Sequence, residues 1–315
     1  MTSPEAPELR RREGGHRQLD HLRPGERTRE VVRRTLLGVW NDGFMHAGNL
    51  AYLALTTLFP FFIVAAALAR LFGRGADGLR AADEFLRTVP SGVREVLRQP
   101  IADVLEARSG SLLWLGALVG LWTTASFIET LRDILRRAYG TSASRPFWEY
   151  RLAAAGMIIG AVVLTFVAFS LQVVLIAAEQ FLWRLVPFAT GLQQWISLSK
   201  IAPALVLFGT LYMLFYALTP SRYRYTSCPK WPGALFTALW WVAVTQALPA
   251  ALALLGGYSL TYGSLAGVMI TLIFFYLVGL GVVVGAQLNA ALAEVPLEPT
   301  GNMGQPGSQE EETGP

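Results

Sequence analysis

Apolar positions are concentrated in six long runs separated by polar segments, and the runs lie at residues 48–72, 111–128, 152–178, 198–218, 233–255 and 263–291. None of the runs has Asp or Glu in its core. Each is near or above the ~20 residues that a helix needs to cross ~30 Å of hydrocarbon at ~1.5 Å per residue. A backbone in lipid must satisfy its own hydrogen bonds, so such runs must be helical. The pattern therefore predicts an all-α polytopic membrane protein with a bundle of six transmembrane helices.

Two amphipathic segments flank the first run. In residues 29–47 the apolar side chains follow helical spacing beside several arginines, and Trp40 is placed as an anchor at headgroup depth. This pattern predicts an interfacial helix at the N-terminal side of the bundle. In residues 91–107, Val93, Leu97 and further apolar positions share one helical face. This second pattern predicts an outer amphipathic helix over the mouth of the bundle or on the bilayer.

Composition and charge add a division into regions. Hydrophobic residues make up 53% of the chain and charged residues only 15%, whereas ~25% charged residues are usual in soluble domains. We expect a basic, disordered cytoplasmic arm (1–28), a six-helix membrane domain (29–293) and a disordered cytoplasmic tail rich in Pro, Gly and Glu (294–315). Beside a membrane domain, a basic arm is expected to attract the anionic headgroups of the lipid bilayer rather than nucleic acid. Its positive charge comes from Arg10, Arg11, Arg12, Arg17, Arg23, Arg27, Arg29, Arg33 and Arg34.

The distribution of basic residues between the runs predicts the orientation. Segment 129–151 and loop 219–230 are rich in Arg and Lys, while loop 179–197 has only Arg184 and the link at 256–262 has no charge. Because basic loops stay in the cytoplasm, both termini of this multi-pass protein are expected there.

Glycines one helical turn apart recur within the runs. Small residues at this spacing let helix backbones approach closely in lipid. The pattern predicts a tightly packed bundle whose helix-packing positions are Gly116/Gly120, Gly156/Gly160, Gly263/Gly267 and Gly281/Gly285.

Polar residues inside the runs are the candidate functional positions, since polarity in the membrane is costly and usually faces protein or water. The intramembrane candidates are Gln172, Gln246, Gln287 and Asn289. On the second helix, Ser126, Glu129 and Asp133 share a face with Trp122, and Arg132 is placed to pair with either acid. The alternative is that these side chains only form interhelical hydrogen bonds or lie at a solvated helix end.

No catalytic constellation is recognisable. The only histidines are His16, His21 and His46, and no His, Asp or Glu spacing resembles a metal site. The chain has no Gly-rich phosphate loop and no nucleophile-elbow serine. We therefore expect no enzyme activity, no cofactor and no metal.

Several strings in the chain resemble the YihY/BrkB family of bacterial inner-membrane proteins, some of which have carried the label ribonuclease BN. They are LAYLALTTLFPFF (50–62), GLWTTASF (120–127), KWPGALFTALWW (230–241), YSLTYGSLAGVMITLIFFYL (258–277) and GAQLNAAL (285–292). The resemblance covers about residues 35–293. It implies a six-helix inner-membrane protein with both ends in the cytoplasm, and it implies no settled activity.

One position departs from the family pattern. Where the family usually reads Gly-Ala-Glu-Leu-Asn, this chain has Gln287 between Ala286 and Leu288. If the acid acts through its charge, the substitution alters function. If it only accepts a hydrogen bond in packing, Gln287 can replace it.

Three functions are compatible with these features. The first is a transporter or lipid translocator, for which Gln172, Gln246 and Gln287 should converge on one solvated chamber. The second is a non-transporting envelope scaffold or integrity protein, which separate burial of the three glutamines would favour. The third and least favoured is a membrane-bound ribonuclease.

Overall fold

One continuous helix covers both the predicted interfacial segment and the first apolar run. This helix, α2, extends over Pro24–Leu71 and has 48 residues, which gives a length of about 72 Å at ~1.5 Å per residue. Its first half lies against the C-terminal part of the last helix, because Gly38 contacts Gln287 and Gly43 contacts Val283. These contacts hold the predicted interfacial segment in line with the first span.

The structure is a computed structural model, and it describes residues 6–12, 24–71, 82–83, 85–107, 111–142, 146, 148–160, 163, 198–225, 228–254 and 265–293. All regular structure in these residues is helical, as the all-α prediction requires. Besides α2, the helices are α1 (Pro7–Arg12), α3 (Ser91–Ala107), α4 (Ser111–Tyr139), α5 (148–160), α6 (Leu198–Leu218), α7 (Ser221–Arg224), α8 (Trp231–Leu254) and α9 (Ala266–Leu292).

Within the described part of the chain, three helical segments are long and apolar enough to cross a membrane. They are Gly25–Ala65, Trp231–Leu254 and Ala266–Leu292. Most of the third apolar run, from residue 164 onward, lies outside the described residues. The membrane character is thus confirmed, and the count of six spans stays a prediction.

Helix α9 is the centre of the described bundle and packs against both α2 and α8. The contacts between Gly279 and Ala47 and between Val283 and Gly43 show that α2 runs antiparallel to α9. Helix α8 is also antiparallel to α9, since Gly233 lies against Gly285 while the Trp240 indole Nε1, further along α8, donates to the earlier Leu277 carbonyl oxygen (2.7 Å). One end of the bundle therefore holds the start of α8 and the end of α9.

Helix α3 lies at the opposite end and buries its apolar face, on which Val93, Leu97 and Ile101 are almost fully enclosed. The segment before α3 is fixed to α8, because Trp241 Nε1 and Thr245 Oγ1 both donate to the Thr88 carbonyl oxygen (2.8 and 3.2 Å). Helix α3 also contacts α2 and α9, and its Val96 lies against Gly267 in the first turn of α9.

The predicted basic arm contains a helix, α1, that contacts the bundle. Ala6 is buried, and Gly140, whose φ of +74° suits a residue without Cβ, lies against it. The Tyr223 hydroxyl donates to Glu8 Oε1 (2.9 Å). This part of the arm is therefore packed near α4 and α7, while the proposed division into arm, membrane domain and tail stays a prediction.

Candidate functional site

A polar cavity of about 790 Å³ lies between α2, α4 and the start of α5. Most of the residues that line it have polar or charged side chains. Ser126, Glu129 and Asp133, predicted to share a face of α4, all line it. The rest of the lining is Met45, His46, Asn49, Thr130, Ile134, Arg136, Arg137 and Tyr150.

Both acids of the α4 face have arginine partners. Glu129 Oε2 accepts from Arg151 Nη1 (2.9 Å), and Asp133 Oδ2 accepts from Arg137 Nε (2.7 Å). The Arg151 guanidinium also lies 3.9 Å from the centroid of the Trp122 ring, a distance suited to a cation–π interaction. The structure thus gives both acids partners other than the expected Arg132.

The uncharged side chains of the cavity differ in whether their polar atoms have hydrogen-bond partners. The hydroxyls of Ser126 and Thr130 donate to carbonyl oxygens of their own helix, at Trp122 (3.3 Å) and Ser126 (3.0 Å). His46 Nε2, in contrast, is buried without a hydrogen-bond partner. His46 therefore lines the cavity with a ring nitrogen whose hydrogen-bonding capacity the described residues do not use. His46 was not among the candidates predicted from the sequence, although a histidine just before the first apolar run is a polar residue at the edge of the membrane domain.

Asn289 forms hydrogen bonds at the start of α8 and does not line the cavity. Its Oδ1 accepts from the Gly233 backbone N–H (2.8 Å), and its Nδ2 donates to the Lys230 carbonyl oxygen (3.1 Å). The side chain is almost completely buried. Because the first N–H groups of a helix lack partners within it, Asn289 acts as a capping residue supplied by another helix.

Lys230 belongs to the same contact. Its ammonium Nζ donates to the Arg224 carbonyl oxygen (3.0 Å) and is largely enclosed. Burial lowers the pKa of Lys230 from its ordinary value, because it disfavours the charged form. The family-like Lys-Trp-Pro-Gly and Gln-Leu-Asn strings therefore meet in one helix-end contact.

The candidate glutamines do not converge in the described part of the chain. Gln287 Nε2 contacts the Gly38 carbonyl oxygen at 3.4 Å, within the α2–α9 contact. Gln246 lies on the exposed face of α8, and Gln172 falls outside the described residues. The cavity is thus lined by side chains of α2, α4 and α5, and neither Gln246 nor Gln287 lines it.

The glycine pairs have different surroundings. Gly281 and Gly285 lie against Trp240 and Thr237 of α8, Gly120 lies against the Pro60 carbonyl of α2, and Gly267 lies against Val96 of α3. Gly116 is half-buried, whereas Gly156 and Gly160 are exposed. The positions where an added Cβ would meet nothing within 4 Å include both Gly156 and Gly160, and Gly263 is outside the described residues.

No group of three or more His, Cys, Asp or Glu side chains that could hold a metal occurs in the described ranges. The charged groups near the cavity are instead arranged as arginine–carboxylate pairs and arginine–aromatic contacts. Arg132 and Arg136 both lie over the Tyr150 ring, at 5.1 and 4.6 Å from its centroid. This arrangement suits binding of polar or anionic groups.

Comparisons relate the chain to known proteins. The model of the family described as "Virulence factor BrkB" matches residues 39–307. The ribonuclease-like protein YfkH of Bacillus subtilis (strain 168) is similar to this chain, with 26% identity over 257 residues that cover 80% of this chain and 90% of the relative. No solved structure matches the chain.

Proposed function

The chain belongs to the BrkB family of membrane proteins, and we propose that it is a multi-pass protein of the bacterial inner membrane that acts as a transporter or lipid translocator. The proposal includes six spans with both termini in the cytoplasm. Its topology is supported by the Arg- and Lys-rich segments 129–151 and 219–230. The positions of Glu8 beside Tyr223 and of Asn289 beside Lys230, at one end of the bundle, are compatible with it.

The polar cavity between α2, α4 and α5 is the observation that supports transport. The cavity lies where α4 leaves its apolar run and enters the basic segment 129–151, so it is placed at the end of the bundle from which a polar solute would enter. Glu129, Asp133, Arg136 and His46 line it. Such a lining can exchange hydrogen bonds with a polar solute or a lipid headgroup as it passes.

Flux measurements in proteoliposomes test this proposal. The panel should include small anions, small cations and a fluorescent phospholipid, because the cavity contains both signs of charge. Glu129→Gln removes a charge from the lining, and we expect flux about tenfold lower, which corresponds to ~1.4 kcal/mol in the barrier. Glu95→Gln makes the same change on the exposed face of α3 and should leave flux unaltered.

A loss caused by misfolding has to be separated from a loss of transport. Both variants should therefore elute as the unmodified protein does in size exclusion. The double variant Glu129→Arg with Arg151→Glu restores an ion pair at these positions. Its flux should be higher than that of Glu129→Gln if transport depends on this ion pair. Flux equal to that of empty vesicles across the whole panel would contradict transport.

The position of Gln246 favours a second candidate, the envelope scaffold. A polar amide on the exposed face of a spanning helix is unfavourable in lipid unless another helix covers it. Crosslinking from Gln246→Cys, in a chain with Cys228 replaced by Ala, should then recover a stable partner after purification in mild detergent. A lone monodisperse protein without crosslinks would count against the scaffold.

The ribonuclease hypothesis is supported only by the name of the Bacillus subtilis relative, and we propose that the chain is not an enzyme. Protein freed of contaminating nucleases should leave a labelled RNA intact. Cleavage that persists through purification and disappears in a single-residue variant would overturn this proposal.

A further inference from the structure

A second cavity, of about 940 Å³, lies beside the first, at the end of the bundle where α1, α4 and α7 meet. Four arginines line it, Arg132, Arg136, Arg222 and Arg224, against two carboxylates, Glu8 and Glu149. It also offers hydroxyl and backbone groups from the turn after α4 and from the start of α7. We call this space the arginine cleft.

Two of the four arginines, Arg136 and Arg224, have one donor nitrogen without an acceptor among the described residues. Arg136 Nε and Arg224 Nε are buried, and neither has a hydrogen-bond partner. Arg136 is otherwise engaged through its guanidinium face, over Tyr150. Arg224 uses a different nitrogen, Nη2, to donate to the carbonyl oxygens of Ala217 and Thr219. Buried guanidinium donors without acceptors are unfavourable, and an anion with several acceptor oxygens would satisfy them once these side chains turn toward the cleft.

One carboxylate already occupies part of the cleft. Glu8 Oε1 lies 3.2 Å from Arg222 Nη1 and accepts the hydrogen bond from the Tyr223 hydroxyl. Its side chain is largely enclosed, although α1 has only six residues. A single carboxylate supplies two oxygens, and a phosphate supplies three or more in a geometry that suits several arginines.

We propose that the arginine cleft binds a phosphate group and that Glu8 competes with this phosphate for Arg222 and Tyr223. The phosphate belongs either to a lipid headgroup or to a free phosphate ion. Binding releases Glu8, and with it α1, from the cleft. This inference does not depend on transport, because it concerns occupancy of the cleft at equilibrium.

Thermal unfolding of the full-length protein in dodecyl maltoside, a detergent without phosphate, tests the proposal. One titration uses inorganic phosphate against sodium chloride at equal ionic strength. The other uses dihexanoyl phosphatidic acid against dihexanoyl glycerol, which lacks the phosphate. Stabilisation by inorganic phosphate identifies a free-phosphate site, and stabilisation by the phosphatidic acid alone identifies a headgroup site. No stabilisation in either titration would overturn the proposal.

Variants assign the effect to the cleft. Arg136→Gln should weaken binding about tenfold, which is the loss of one charge-assisted contact, while Arg136→Lys keeps the charge and should lose less. Arg98→Gln, on the exposed face of α3, should bind as the unmodified protein does. Equal weakening by Arg98→Gln and Arg136→Gln would mean that the anion acts on general surface charge, and would overturn the site.

The competition has its own test. Glu8→Gln should tighten binding about tenfold, because a neutral amide competes more weakly for an arginine than a carboxylate does. Glu95→Gln removes a carboxylate at the other end of the bundle and should leave the affinity unaltered. Hydrogen exchange over residues 6–9 should become faster when the anion is bound. Unchanged affinity in Glu8→Gln would overturn the role of Glu8.

Discussion

Asn289 is a candidate from the sequence because an amide within an apolar run is unusual. The structure places its side chain at the start of α8. Its partners Gly233 and Lys230 are 56 and 59 residues away along the chain. Local periodicity carries no information about contacts at that separation, so neither the partners nor the capping role could be predicted.

Replacing Asn289 tests the capping role. Asn289→Ala leaves the Gly233 N–H without its partner and removes one of two donors to the Lys230 carbonyl oxygen. We expect a loss of about 1–2 kcal/mol of stability, typical of a removed cap. The melting temperature in detergent should fall accordingly. Gln246→Ala, on the exposed face of α8, is the matched control and should melt as the unmodified protein does. A similar melting temperature for the two variants would mean that the cap is unimportant.

Substitutions at Gln287 test whether its departure from the family pattern matters for stability. Its Nε2 faces the Gly38 carbonyl oxygen, which an ionised carboxylate could not approach favourably because it has no donor. We therefore expect Gln287→Glu to lose about 1–3 kcal/mol at neutral pH, the effect of a buried polar group left without its partner. Gln287→Met, which fills the space without charge, should lose less. If Gln287→Glu were as stable as the unmodified protein, the amide donor would have no role here.

At the scale of helices, three of the six apolar runs correspond to described helices long and apolar enough to cross a membrane, because a run without charges longer than ~20 residues has few alternatives. The unbroken length of α2 was not predicted. The segment 29–47 is amphipathic, and amphipathicity alone does not distinguish a bilayer surface from a neighbouring helix. In the structure its small positions Gly38 and Gly43 contact α9, while Trp40 remains largely exposed.

Replacing glycine by alanine should change stability in opposite directions at Gly285 and Gly156. In Gly285→Ala the new Cβ would lie 2.7 Å from the Gly233 carbonyl oxygen, so α8 and α9 must separate, at a loss of about 1–3 kcal/mol. In Gly156→Ala the methyl group enters open space, and the better helix propensity of alanine should leave stability equal or slightly higher. Thermal melts of both proteins measure the difference. A lower stability of Gly156→Ala would contradict the described surroundings.

At the scale of the whole molecule, the remaining prediction is the side of the membrane on which the N-terminal region, the loop with Tyr225 and the start of α3 each lie. Single cysteines at Glu26, Tyr225 and Ser91 are all at exposed positions, in a chain whose buried Cys228 is replaced by Ala. The charge distribution places Glu26 and Tyr225 in the cytoplasm, and α3, with Ser91, lies at the other end of the bundle. A membrane-impermeant maleimide should therefore label Glu26→Cys and Tyr225→Cys only in inverted vesicles, and Ser91→Cys only in right-side-out vesicles. Labelling of Glu26→Cys and Tyr225→Cys from opposite sides would require an odd number of spans between them and would refute the six-helix topology.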